Sequence, residues 1–95
     1  MKEYNIEYLN KYLSNQTFKD LYSLEDYILH DLTYNYVDVE LNIKYLKKYG
    51  VTNLDKVIPS MLEYLLLEHN KFINKINNYE LTLSKEEVIS LIENM

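Results

Sequence analysis

The sequence predicts an all-α fold: a compact bundle of five to six helices over about 3–14, 17–33, 38–49, 53–58, 60–78 and 84–95, in a single helical domain, 1–95. Three observations point there. Apolar residues recur at spacings of three and four along most of the chain, the period of a helix with one buried face. The only glycine, Gly50, and the only proline, Pro59, stand nine residues apart and punctuate the middle of that pattern. Ser84 and Glu87, followed by an apolar run, spell the capping box that opens a helix.

The elements follow in order. Helix 3–14 is predicted from Ile6, Leu9 and Leu13, with Tyr8 and Tyr12 beside them, and Ser14-Asn15-Gln16 breaks it. Thr17 is the expected N-cap of 17–33, with Asp20 three residues on and Leu21, Leu24, Ile28 and Leu32 as its inner stripe. Over 34–43 two periods compete. Val37, Val39, Leu41 and Ile43 alternate with polar residues as in a strand, whereas Val39, Ile43 and Leu46 make a helical stripe. Glu40 and Lys44 are also correctly ordered for an i,i+4 pair. The reading is a helix over 38–49; the alternative is an α+β fold with a minor two-stranded sheet pairing 35–43 with 79–83. Lysines in the last turn suit the negative end of that helix, and Gly50 takes the left-handed position that stops it. Thr52 is the expected cap of 53–58, with Asp55 in the first turn. Pro59 is expected to stop that helix near Ile58 and begin a new one, the alternative being one long helix kinked at Pro59. Leu62, Leu65, Leu66, Phe72, Ile73 and Ile76 define the inner face of 60–78. In 84–95 that face is Val88, Ile89, Leu91, Ile92 and Met95, with Leu83 stapled onto Val88.

A period near 30 residues runs beneath these elements. Leu9, Leu13, Leu21, Leu24, Ile28 and Leu32 fall in register with Val39, Ile43, Val51, Leu54, Ile58 and Leu62. Ile43, Leu46, Tyr49, Val51 and Thr52 fall in register with Ile73, Ile76, Tyr79, Leu81 and Thr82. The pattern loosely resembles helical repeats of the mitochondrial transcription-termination-factor type. That resemblance implies paired helices stacked as a short array.

Composition excludes several functions. Without cysteine there is no disulfide, zinc-thiolate site or thiol nucleophile. No basic-then-apolar leader and no apolar run near the length of a membrane span is present, so a cytoplasmic chain without a membrane partner is expected. There is no glycine-rich phosphate loop, no nucleophile elbow and no arginine, and the acidic pairs Glu25-Asp26 and Glu86-Glu87 diverge on a helix. No enzyme, cofactor or metal site is expected. His30 stands four residues after Asp26, a metal-ligand spacing that reads more simply as a surface ion pair; His69 reads as a half-buried histidine with a hydrogen-bond partner. Leu, Ile, Asn, Lys and Tyr dominate. Their A- and T-rich codons account for eleven tyrosines without any function.

The net charge of −5 is unevenly spread: residues 1–43 carry eight acids against three lysines, and 44–80 carry six lysines against four acids. The acidic, aromatic stretch from Asp20 to Glu40 is the candidate docking surface, with Tyr22, Asp26, Tyr27, Asp31, Tyr34 and Tyr36 as contact residues for a protein partner bearing a basic groove. The function this implies is a non-enzymatic inhibitor or regulator that occludes a basic surface. A small acidic chain of this kind resembles in type, not in motif, phage and mobile-element proteins such as anti-CRISPR inhibitors and bacteriocin-immunity proteins. The alternative is a helix-turn-helix or helical-repeat nucleic-acid-binding regulator built on 42–62 and using Lys44, Lys47, Lys48 and Lys56. A third reading is a homodimer through the Leu65–Leu67 face.

Overall fold

Helical periodicity is realised almost throughout. The computed structural model describes residues 4–95 and holds a 3-10 helix, Glu7–Tyr12, followed by seven α-helices: α1 (Asn15–Leu21), α2 (Asp26–Tyr34), α3 (Tyr36–Tyr49), α4 (Leu54–Ser60), α5 (Leu62–Leu65), α6 (His69–Tyr79) and α7 (Lys85–Glu93). No strand occurs among the described residues, so the alternating run 35–43 is helix and its pairing with 79–83 does not form. One buried apolar cluster, from Ile6 to Ile92, draws on every one of these elements.

The opening helix is tighter than expected. Ile6 and Leu9 are fully buried and Tyr12 is half-buried, a spacing of three that suits a helix of three residues per turn. Two tyrosines pin it down: the Tyr8 hydroxyl donates to the Leu32 carbonyl at 2.6 Å, and the Tyr12 hydroxyl to Glu40 Oε2 at 3.0 Å. Residue 3, the expected start, lies outside the described residues. Ser14, not Thr17, caps α1: its Oγ accepts from the Thr17 N–H at 3.2 Å. Asp55 of α4 holds that cap from the far side, accepting from Ser14 N at 2.6 Å and from Thr17 Oγ1 at 2.9 Å.

The expected helix 17–33 is two helices. After Leu21 the N–H groups of Tyr22, Ser23 and Leu24 reach back three residues instead of four, and Glu25 is extended before α2 begins. Leu24 and Ile28 still reach the core, so the apolar stripe survives the interruption that it concealed. Helix α3 closes as expected. The Gly50 N–H bonds the Lys47 carbonyl at 3.2 Å and the Val51 N–H bonds the Leu46 carbonyl at 3.0 Å, with Leu46 and Val51 both buried. This is the Schellman arrangement, and Gly50 supplies its positive φ of 122°.

Three expectations downstream are corrected. Thr52 does not cap α4; its N–H and Oγ1 both turn to Glu93 at 3.1 Å, tying this loop to α7. Pro59 lies inside α4, and the break falls at Met61, whose N–H still reaches the Val57 carbonyl at 3.1 Å. A proline removes its own bond to the carbonyl four residues back and crowds that carbonyl with its ring, and here that residue, Asp55, is a part-exposed one near the helix start. The kinked alternative therefore comes nearer, since one residue separates α4 from α5. The helix expected over 60–78 is interrupted again at 66–68. There the Asn42 side chain donates to the carbonyls of Leu65 (2.9 Å) and Leu67 (3.0 Å), and Asp38 Oδ1 accepts from the His69 N–H at 3.2 Å. Helix α3 thus closes one helix and caps the next. Helix α7 opens on the expected capping box, Ser84 with Glu87.

The second register of the 30-residue period falls on a helix and the turn after it in both copies, α3 and its turn leading to α4, α6 and its turn leading to α7. These units meet like on like, α3 against α6 and α4 against α7. Along α3 and α6 the contacts advance together: Asn42 with His69, Tyr45 with Phe72, Tyr49 with Glu80. The two helices therefore run in the same direction, as in stacked repeats. The first register does not map this way, because Leu9 sits in a 3-10 helix and its counterpart Val39 in α3.

Candidate functional site

Helix α2 has two unlike sides. Leu29 and Leu32 are buried, whereas Asp26, Tyr27, His30 and Tyr34 point to solvent and Asp31 is half-exposed. Residues 26, 30 and 34 are spaced by four, and 27, 31 and 34 by four and three, which makes them neighbours on one helix face. The His30 ring lies 4.4 Å from the Tyr34 ring, and its Nδ1 is 3.7 Å from Asp31 Oδ1. His30 is therefore a surface group beside a carboxylate. Among the described residues no group of three or more His, Asp or Glu side chains could hold a metal ion.

Asn35 joins α2 directly to α3: its N–H and its Nδ2 both return to the Asp31 carbonyl, at 2.9 and 3.0 Å. This joint places Tyr36 and Val37 immediately beyond Tyr34. Tyr27, Tyr34, Tyr36 and Val37 are 62, 72, 53 and 56 % exposed. Tyr36 leans on the half-buried Tyr8, with ring centres 6.2 Å apart. Among the described residues, six of the nine large hydrophobic side chains left exposed lie between Tyr22 and Leu41, so the exposure is concentrated here.

Of the six sequence-predicted contact residues, five gather on α2 and its junction with α3. Tyr22 lies in the turn between α1 and α2, edge-on to Phe18 at 5.6 Å. Burial chiefly, with Glu7 nearby, raises its phenol above the ordinary range. Val37 and Leu41 belong to the exposed set although the sequence reading passed over them. Their signal was present: they stand four apart on α3, off the buried stripe of Val39, Ile43 and Leu46.

Of the lysines in the alternative reading, Lys44, Lys47 and Lys48 stand three and four residues apart on α3, and Lys56 belongs to α4. Lys44 sits 3.9 Å from Glu40, Lys47 lies over the Tyr12 ring at 5.9 Å, and Lys48 is exposed in the last turn of α3. Lys56 is on α4, where its Nζ donates to the Glu93 carbonyl at 2.8 Å at the end of α7. Glu40 is the local hub, paired with Lys11 as well as with Tyr12 and Lys44. The bond from Lys11 above all holds its carboxyl below the usual range.

The Leu65–Leu67 block is not an open face. Leu65 is fully buried, and Leu66 and Leu67 pack against the core. His69 is half-buried, its Nδ1 2.8 Å from Asn42 Oδ1. Because the Asn42 amide already gives both hydrogens to carbonyls, its oxygen is the acceptor and His69 carries its proton on Nδ1. No helix among the described residues is long and apolar enough to cross a membrane. Compared with protein-family models, curated proteins and solved structures, the chain shows no significant match to any of them.

Proposed function

We propose that this chain is a non-enzymatic protein-binding module, an inhibitor or regulator that covers a basic surface of its partner with the outer side of α2 and the start of α3. The observation that carries this reading is the concentration of exposed rings, Tyr27, Tyr34 and Tyr36, beside the carboxylates Asp26 and Asp31. Tyrosine brings rigid contact area with a polar tip at little entropic cost, and it is enriched among residues that dominate binding energy. The carboxylates add steering towards cations and repel phosphate backbones, which favours a protein over a nucleic acid. Both helices are held from behind, α2 through Leu29 and Leu32 and α3 through Val39, Ile43 and Leu46, so the rings sit on a preorganised base.

The test is site-specific photocrosslinking in the cells that make the protein. A benzophenone side chain at Tyr34 should trap one protein partner, and the same group at Leu81, exposed in the turn after α6, should not. Tyr27→Ala with Asp31→Ala should weaken capture by about thirtyfold or more, the loss of roughly 2 kcal/mol that a central contact carries. Helical content and melting temperature should be unchanged. Equal trapping from Leu81, or undiminished capture by the double variant, overturns the proposal.

A further inference from the structure

The turn between α1 and α2 faces the kink between α4 and α5 across a groove. Two adjoining hollows, about 360 and 290 Å³, share Leu24, Pro59 and Leu62 in their linings and lie side by side along this groove. Its floor is apolar: Leu21 and Leu62 are buried, Leu24 and Ile28 half-buried, and Pro59 exposed. Its border is acidic, with Asp20 and Asp55 lining one hollow and Glu63 the other. The only lysine among the lining residues, Lys56, has its Nζ tied to the Glu93 carbonyl on α7. Asp55 also keeps a backbone carbonyl that Pro59, lacking an N–H, cannot bond four residues on.

We propose that this groove docks a basic amphipathic helix of a partner protein, its apolar side on Leu24, Ile28 and Pro59 and its lysines or arginines against Asp20 and Glu63. Charge decides the occupant. An apolar floor between carboxylates repels nucleic acid and acidic peptides and accepts a segment whose apolar stripe is flanked by cations. Shape decides its conformation. The walls are helices and no strand exists among the described residues, so no sheet edge is present to bond an extended peptide. This proposal is independent of the α2 face, with which it shares none of the residues named for docking.

The test is a titration of the isotope-labelled chain, followed by amide chemical shifts, with a synthetic helix of about 18 residues, roughly five turns, carrying leucine along one face and lysine elsewhere. A scrambled peptide of the same composition is the control. Shifts should centre on 21–28 and 60–63, and the ordered peptide should bind at least about tenfold more tightly than the scrambled one. Asp20→Lys with Glu63→Lys should remove about tenfold of that affinity, whereas Tyr27→Ala with Tyr34→Ala should leave it unchanged. The milder Asp20→Asn with Glu63→Gln gives the same comparison if the reversed pair does not fold. Shifts centred on the outer face of α2, equal binding of the scrambled peptide, or no binding at all would each overturn the proposal without touching the α2 reading.

Discussion

Asn42 is the only buried polar side chain among the described residues, and its three hydrogen bonds explain why it is tolerated. Its two N–H bonds go to the Leu65 and Leu67 carbonyls and its oxygen accepts from His69, so no buried side-chain N or O among the described residues is left unpaired at the contact of α3 with the start of α6. Asn42→Ala would strand two carbonyls and a histidine N–H, and each orphaned group costs about 1–3 kcal/mol when water cannot reach it. The expected loss is therefore about 3 kcal/mol in urea or thermal unfolding, large for a domain of this size. Asn42→Asp should be worse than Asn42→Ala, because it sets an ionised oxygen against those same carbonyls. A chain in which both variants melt like the wild type would show that water replaces the amide. Gly50 is the second residue of this kind. Gly50→Ala forces a Cβ into a backbone with φ of 122° and to 2.9 Å from the Ile89 Cδ1, the movable end of a side chain. About 1–2 kcal/mol should follow from the backbone alone, read as a fall of roughly 4–16 °C in melting temperature.

At the scale of elements, two serine caps invite comparison. Ser84 and Glu87 satisfy each other's N–H groups at 3.2 and 3.0 Å, a device contained within one turn. Ser14 caps α1 and also bridges to Asp55, 41 residues away. Ser84→Ala should cost about 1 kcal/mol, the ordinary worth of a cap, and Ser14→Ala more, because its Oγ bond to Asp55 goes too, although the backbone N–H of residue 14 still reaches that carboxylate. Equal losses in chemical unfolding would mean that the Oγ bond to Asp55 adds nothing. The same contrast explains what was legible beforehand. The Gly50 stop and the Ser84 box are local devices, written in adjacent residues, and both were readable. The interruptions at 22–25 and 66–68 contain neither glycine nor proline, and the second is held by Asn42 and Asp38 from another helix. No window of sequence around Leu66 could announce it. Of the candidate site, the outward faces of Tyr27 and Tyr34 agree with a helix turned inward on Leu32, whereas the burial of Leu29 ahead of Ile28 was not legible, because the expected stripe ran unbroken through the turn at 22–25.

For the whole molecule, the titrating groups that hold elements together divide into two sets of opposite sign. Asp55 and Glu93 are held below the usual carboxylate range chiefly by backbone N–H bonds from Ser14 and Thr52, and Glu40 chiefly by Lys11. A depressed folded pKa adds stability above the unfolded value that is lost as pH falls through the folded one, so these links weaken below about pH 4. All three are surface groups in contact with solvent, and the acid limb should be shallow and sensitive to salt. The phenols behave oppositely. Tyr8 and Tyr49 are pushed far above the ordinary value of 10.0, first by burial and then by Glu40 and Glu80 respectively. A raised folded pKa adds stability that is complete below the unfolded value and is lost as pH rises through the folded one. Tyr8 anchors the opening helix to α2, and Tyr49 anchors the end of α3 to Glu80 just beyond α6, so ionising either would release one element from another. Melting temperature should hold level from about pH 5 to 9 and fall steeply above about pH 10, together with a cooperative rise in phenolate absorbance. Tyr8→Phe with Tyr49→Phe should lower stability at neutral pH, where the hydroxyl bonds are lost, yet flatten the alkaline limb. A double variant that melts as steeply with rising pH as the wild type would place the alkaline weakness in the other raised phenols, Tyr12, Tyr22 and Tyr45, or in the lysines.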